Sequence, residues 1–145
     1  PSSEWRFHQA IFENYPEANA VVHAHSVFAS TLSVLGKDIP AFHYMIAIAG
    51  GDSIRCAPYA MFGTKELSIN ILQAIKDRKA CLLSNHGLVT MGKDLNEAFN
   101  IAEEVEHLSR LYVEAKKIGD PKLLKTEEMN EVLNRFNSYS RNTKD

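Results

Sequence analysis

The sequence predicts a layered α/β domain, and three observations carry that prediction. Short apolar runs bounded by Gly, Pro and Asn suit buried strands. Between them lie longer segments whose apolar residues recur three and four apart, as on one face of a helix. The chain has 145 residues, 45% hydrophobic and 23% charged, which is enough for one core and ordinary for one domain. Short strands alternating with helices bury their apolar faces by stacking in layers.

Each element has its own signal. Ser2 and Ser3 are good N-caps for a helix over residues 4–14, which Pro16 closes. Glu4, His8 and Ile11 share one face of that helix. Residues 20–25 read as a strand. Ser26 caps a short helix over 27–35 that Gly36 ends, and 37–42 is a loop around Pro40. Residues 43–49 are apolar and fit either a helix or a strand. Gly50-Gly51-Asp52 is a turn, followed by a strand over 54–57 that Pro58 ends.

Thr64 caps a helix to about residue 79, with Leu67, Ile71, Leu72 and Ile75 on its apolar face. Residues 80–83 form a strand leading into Asn85-His86-Gly87, and 88–91 form the next. Asp94 and Glu97 make a capping box for a long helix from 95 to about 118, stopped by Gly119 and Pro121. Leu95, Ala98, Ala102, Val105 and Tyr112 form its apolar stripe. A last helix covers about 126–136, and the polar residues 137–145 are expected to be a mobile tail. One domain over 1–145 accounts for the whole chain.

Composition narrows the function classes. The net charge is -2, and Lys and Arg are scattered without a basic stripe, so there is no electrostatic case for nucleic acid. Cys56 and Cys81 are too few for a disulfide framework and lack metal-ligand spacing. They are expected as buried or half-buried thiols in a reducing compartment. No apolar run reaches the length of a membrane span and no signal-peptide pattern is present, so the expected location is cytoplasmic and no membrane partner is expected.

The chemistry concentrates on histidine. His23 and His25 lie two apart in Ala20-Val21-Val22-His23-Ala24-His25, so on a strand both rings face the same way. Two adjacent imidazoles suit a divalent transition metal, whereas in a dry core each ring nitrogen needs a partner. A catalytic zinc takes three protein ligands and keeps one position open. His86, after a strand and beside Gly87, is the third candidate, and Glu4 at a helix start is a fourth. The pair alone leaves metal binding and hydrogen-bonded core histidines both open. His8, His43 and His107 show that the chain uses histidine freely, and His107, mid-helix among glutamates, reads as structural.

The ordered set Pro1-Ser2-Ser3-Glu4-Trp5, Ala20–His25, His43-Tyr44-Met45-Ile46, Cys56-Ala57-Pro58-Tyr59 and Asn85-His86-Gly87 resembles the class II aldolase/adducin family. The resemblance implies a layered α/β/α domain around a central mixed, largely antiparallel sheet. It implies one Zn2+ per subunit held by Glu4, His23, His25 and His86, with Glu4 also serving as catalytic base. It places a proton-donating tyrosine from a neighbouring subunit at Tyr44, an aldehyde-side aromatic at Phe62 and a mobile covering tyrosine at Tyr139. Ser2 and Ser3 match substrate-phosphate contacts, a role compatible with helix capping. The implied reaction is aldol cleavage of a ketose 1-phosphate, L-fuculose 1-phosphate giving dihydroxyacetone phosphate and L-lactaldehyde, in a homotetramer with sites near subunit contacts. An L-ribulose-5-phosphate 4-epimerase type, a dehydratase of the methionine-salvage type and a non-catalytic adducin-like assembly module are the alternatives. The family carries a further N-terminal region with sheet strands and a phosphate-gripping loop, so the chain, beginning at Pro1, is expected to lack that portion of the domain.

Overall fold

A computed structural model describes the backbone of residues 3–142 and the side chains of residues 3–138. The order is α1 (Trp5–Asn14), β1 (Ala20–Ala24), α2 (Val27–Ser33), a 3-10 helix (Tyr44–Ala49), β2 (Arg55–Ala57), α3 (Lys65–Ala74), β3 (Ala80–Leu83), β4 (Gly87–Gly92), α4 (Leu95–Ile118) and α5 (Thr126–Asn142). The four strands form one sheet in the order β1-β4-β3-β2. The β1–β4 and β3–β4 pairs are antiparallel and β2–β3 is parallel, so the sheet is mixed and largely antiparallel.

Side-chain alternation along β3 builds a core on each face of the sheet. Ala80 and Leu82 join a cluster with Leu32 of α2, Val105 and Leu108 of α4, and Met129 of α5. Cys81 and Leu83 point the other way, into a cluster with Phe7 and Ile11 of α1 and Leu67 and Ile71 of α3. Helices therefore cover both faces, giving the α/β/α layering that the family resemblance implies. Burial pushes the Cys56 thiol up to about 11, with Asp38 adding to the shift, and pushes the buried Cys81 thiol up as well. Both cysteines are free and, as protonated thiols, weak nucleophiles.

Several boundaries differ from the sequence expectation for identifiable reasons. The α1 N-cap is Glu4 rather than a serine, and its side chain makes no capping bond. Ser26 occupies the α2 N-cap position, but its hydroxyl does not cap. The Glu106 carboxylate of α4 does so instead, accepting from Phe28 N at 2.9 Å and Ala29 N at 2.8 Å. Helix α3 ends at Ala74 rather than near 79, because Asp77 turns left-handed (φ 57) and Lys79 N donates to Ala49 O at 2.7 Å. The ambiguous segment 43–49 is a 3-10 helix capped by His43 Nδ1, which accepts from Met45 N. Leu95, placed on the apolar stripe of α4, is exposed, while Ile101 and Leu108 are buried in its stead. Helix α5 runs on to Asn142, through the first part of the expected tail. Among the described residues no helix is long and apolar enough to cross a membrane.

Candidate metal centre

Three separate stretches of chain meet at one end of the sheet. In β1, His23 sits opposite Val89 of β4 and Ala24 opposite Leu88, and His25 follows the last residue of the strand. The β3–β4 hairpin carries His86 in its three-residue loop, because Leu83 pairs with Gly87. Glu4, just before α1, comes over the same end with a backbone that is not yet helical (φ -107, ψ 14). The carboxylate is thus directed away from the helix end it would otherwise cap.

The loop is held from outside. Asn85 adopts the left-handed conformation that a tight three-residue turn needs (φ 56), and His86 N donates to Leu83 O at 3.0 Å. The C-terminus of α2 supports it, since Asn85 N donates to Ser33 O at 3.1 Å and His86 N to Ser33 Oγ at 3.3 Å. Gly87 is required by close approach. A Cβ there would lie 2.4 Å from Ala24 O and 3.0 Å from the His25 ring. Only a residue without a side chain lets β1 and β4 come near enough for His23 and His25 to meet His86 of the adjoining loop.

The resulting geometry is that of a donor shell. The ligand atoms of Glu4, His23, His25 and His86 all lie within 4.8 Å of one another. His23 Nε2 is 2.9 Å from Glu4 Oε2 and 3.0 Å from His25 Nε2, and His86 Nε2 is 3.3 Å from Glu4 Oε1. Donors sharing a tetrahedral zinc at the usual Zn–N length sit about 3.3 Å apart, so this spacing fits one small ion. The tautomer fits too. His23 Nδ1 lies 2.8 Å from Leu88 O, so Nδ1–H donates to that carbonyl and Nε2 is left with its lone pair. Burial holds the His86 pKa below the usual imidazole value, with Glu4 opposing the shift and His23 and His25 adding to it. His8 is lowered by burial and by His23, against Glu4. Neutral imidazoles and a carboxylate are the donor set that a borderline divalent cation prefers, so these residues suit a metal ion.

Beside this cluster lies a cleft of about 390 Å³. Glu4, His25 and His86 form part of its wall, Ser3 and Asn85 add polar groups, and Tyr59, Ala60 and Phe62 add apolar surface. Ser3 and Phe62, expected at the site, are thus beside it. Gly63 tethers this wall, since a Cβ there would lie 2.9 Å from Ser3 O. Tyr44 lies on the 3-10 helix, about half exposed and not on the cleft wall. Ser2 and the side chain of Tyr139 lie outside the described residues. Tyr59 and Asn85 were not expected as site residues. Their signal is their place inside the Cys-Ala-Pro-Tyr and Asn-His-Gly motifs.

Comparison with known proteins agrees with this geometry. The family model "Class II Aldolase and Adducin N-terminal domain" matches residues 1–113. An L-fuculose phosphate aldolase of Escherichia coli is 52% identical over 140 residues, covering 96% of this chain and 65% of that protein. A 5-methylthioribulose-1-phosphate/5-deoxyribulose-1-phosphate aldolase of Rhodospirillum rubrum is 49% identical over 142 residues, covering 98% of this chain and 64% of that protein. A solved structure titled L-fuculose 1-phosphate aldolase superposes with a TM-score of 0.91 at 43% identity, covering 94% of this chain and 64% of that one. The chain thus spans 64–65% of the length of these curated relatives. With the sheet order, the Glu4–His23–His25–His86 cluster and the family match in agreement, this chain belongs to the class II aldolase and adducin family.

Proposed function

We propose that this chain carries the metal-holding part of a class II aldolase site that cleaves a ketose 1-phosphate, with L-fuculose 1-phosphate as the leading substrate. The observation that supports it most is the convergence of one carboxylate and three imidazoles within 4.8 Å. His23, His25 and His86 would hold zinc through Nε2, with Glu4 as the fourth group. A bound zinc ion would supply Lewis acidity toward the negative charge that develops beside the substrate carbonyl.

The remaining work falls to side chains. In condensation Tyr44 from a second copy donates its proton to the aldehyde oxygen as the bond between C3 and C4 forms, and in cleavage its phenolate takes that proton back from the C4 hydroxyl. Glu4 delivers a proton to the released carbon, and in condensation it removes one from the same carbon. Ser2 and Ser3 contact the phosphate, Phe62 faces the aldehyde portion, and Tyr139 covers the site. A proton donor supplied by a second copy is consistent with a homotetramer. An adducin-like assembly role would leave the four converging ligand groups without a use.

The test is direct. Chain loaded with one zinc equivalent is incubated with L-fuculose 1-phosphate, and dihydroxyacetone phosphate is measured by coupled reduction. Release that stops on chelation and returns with zinc supports the proposal. Turnover of L-ribulose 5-phosphate without triose release points to the epimerase. Failure to bind stoichiometric metal points to the assembly module.

A further inference from the structure

The geometry points to Tyr59 as a specificity-determining residue that reads the substituent carried by the aldehyde half of the substrate. This rests on the aldolase reading above. Tyr59 stands on the cleft wall with Phe62, and the two rings are 58% and 61% exposed. Two exposed aromatic faces on one cleft wall offer a ligand apolar surface. The Tyr59 hydroxyl has no hydrogen-bond partner among the described residues, and its ring makes no ring–ring contact there. The fold therefore leaves the Tyr59 hydroxyl available to a ligand.

The backbone beneath it is fixed, however. Asn70 Nδ2 donates to Pro58 O at 3.2 Å, Thr64 Oγ1 donates to Met61 O at 2.7 Å, and Gly63 (φ +73) abuts Ser3 O. A fixed loop presenting an exposed, amphipathic side chain beside the donor cluster is suited to reading a small group.

The chemistry of the wall says which end of the substrate it meets. Among the described residues no Lys or Arg lines this cleft. Two aromatic faces and Ala60 form its apolar part, a good setting for an alkyl terminus, while Ser3 stands on the polar part of the same wall. The sugars named for the relatives differ at this terminus. L-fuculose 1-phosphate bears a hydroxyl on C5 with a methyl beyond it, whereas 5-deoxyribulose 1-phosphate ends in a bare C5 methyl. Phe62 packs against the methyl in either case. The Tyr59 hydroxyl hydrogen-bonds the C5 hydroxyl and finds nothing to bond in the deoxy sugar.

Tyr59→Phe and Tyr59→Ala are compared with the unaltered chain on both ketose phosphates, by kcat/KM and by calorimetric Kd. Tyr59→Phe should lower kcat/KM and binding for L-fuculose 1-phosphate about tenfold, the usual worth of one hydrogen bond, and change the values for 5-deoxy-D-ribulose 1-phosphate less than twofold. Tyr59→Ala should weaken both. Equal losses on the two sugars with Tyr59→Phe, or no loss on either, overturn the assignment. Because Kd is read without turnover, a chain that binds both sugars but cleaves neither removes the aldolase reading while the ratio of affinities still decides Tyr59. A chain that binds neither sugar overturns the Tyr59 assignment too.

Discussion

Glu4 occupies a position where two demands compete. A carboxylate at a helix N-cap ordinarily accepts backbone N–H groups and is favoured by the helix dipole. Here it makes no capping bond, and its two oxygens instead lie 2.9 Å from His23 Nε2 and 3.3 Å from His86 Nε2. The forgone cap is worth about 1 kcal/mol, a cost that sites of function commonly carry. Glu4→Gln preserves shape but replaces one carboxylate oxygen by an amide NH2 and removes the negative charge and the base. It should lower kcat by at least about a hundredfold while zinc content by metal analysis stays near one per chain. A variant with unaltered turnover would remove Glu4 as the base. At this scale the sequence was informative where residue type and period coincide, as with His23 and His25 on one strand face. For Tyr59 the sequence offered only its place in the Cys-Ala-Pro-Tyr motif, because an exposed tyrosine in a loop has no periodicity to mark it.

Among the elements, local chemistry sets the start of α4 well and the end of α3 poorly. Asp94 Oδ1 accepts from Glu97 N at 2.8 Å, and Glu97 Oε2 accepts from Lys93 N at 2.7 Å, so the helix starts where the capping pattern predicts. The stop of α3 depends on Lys79 bonding to Ala49, a contact that no local pattern encodes. The cap of α2 likewise comes from Glu106, 78 residues from Phe28. Glu97 also pairs with Lys79 at 2.6 Å. Desolvation pushes its carboxyl up, but the bonds from Lys79 and from Lys93 N outweigh it and hold the pKa below the ordinary carboxylate value. A depressed carboxyl contributes its stability fully above the unfolded-state pKa and loses it as pH falls through the folded value. Glu97→Gln, which keeps an oxygen to accept from Lys93 N, should therefore cost up to about 1 kcal/mol in urea unfolding near pH 7, from the lost negative charge, since solvent screens the ion pair. The difference should shrink below about pH 4, as the native carboxyl protonates. A gap that persists undiminished in acid would remove the ionised carboxylate as its source.

At the scale of the whole molecule, the ligand set spans both halves of the chain. Glu4 belongs to the approach to α1, His23 to β1, His25 to the residue just after it, and His86 to the β3–β4 loop. An ion bound by all of them stabilises only the folded arrangement. At a free zinc concentration a hundred times its Kd, the gain is about 2.7 kcal/mol, and Tm should rise by about 5–10 °C. His86→Ala, which removes the donor farthest along the chain, should abolish most of that rise in a calorimetric scan. An equal shift in the variant would place the ion elsewhere. The layering of the fold was legible in the sequence, since alternating strand and helix patterns have few ways to pack. The pairing of the first strand with the last was not, because strand order is decided by contacts between distant segments.

That pairing has a consequence in time. β1 and β4 are neighbours in the sheet although 62 residues separate Ala24 from the start of β4 at Gly87, with Ala24 opposite Leu88. Closing so large a loop is an entropic toll levied before any contact rewards it, so such pairs form slowly. Until it closes, His23 and His25 face no His86. A nascent chain therefore offers an ion only two neighbouring imidazoles, and the complete grip is among the last things to be assembled.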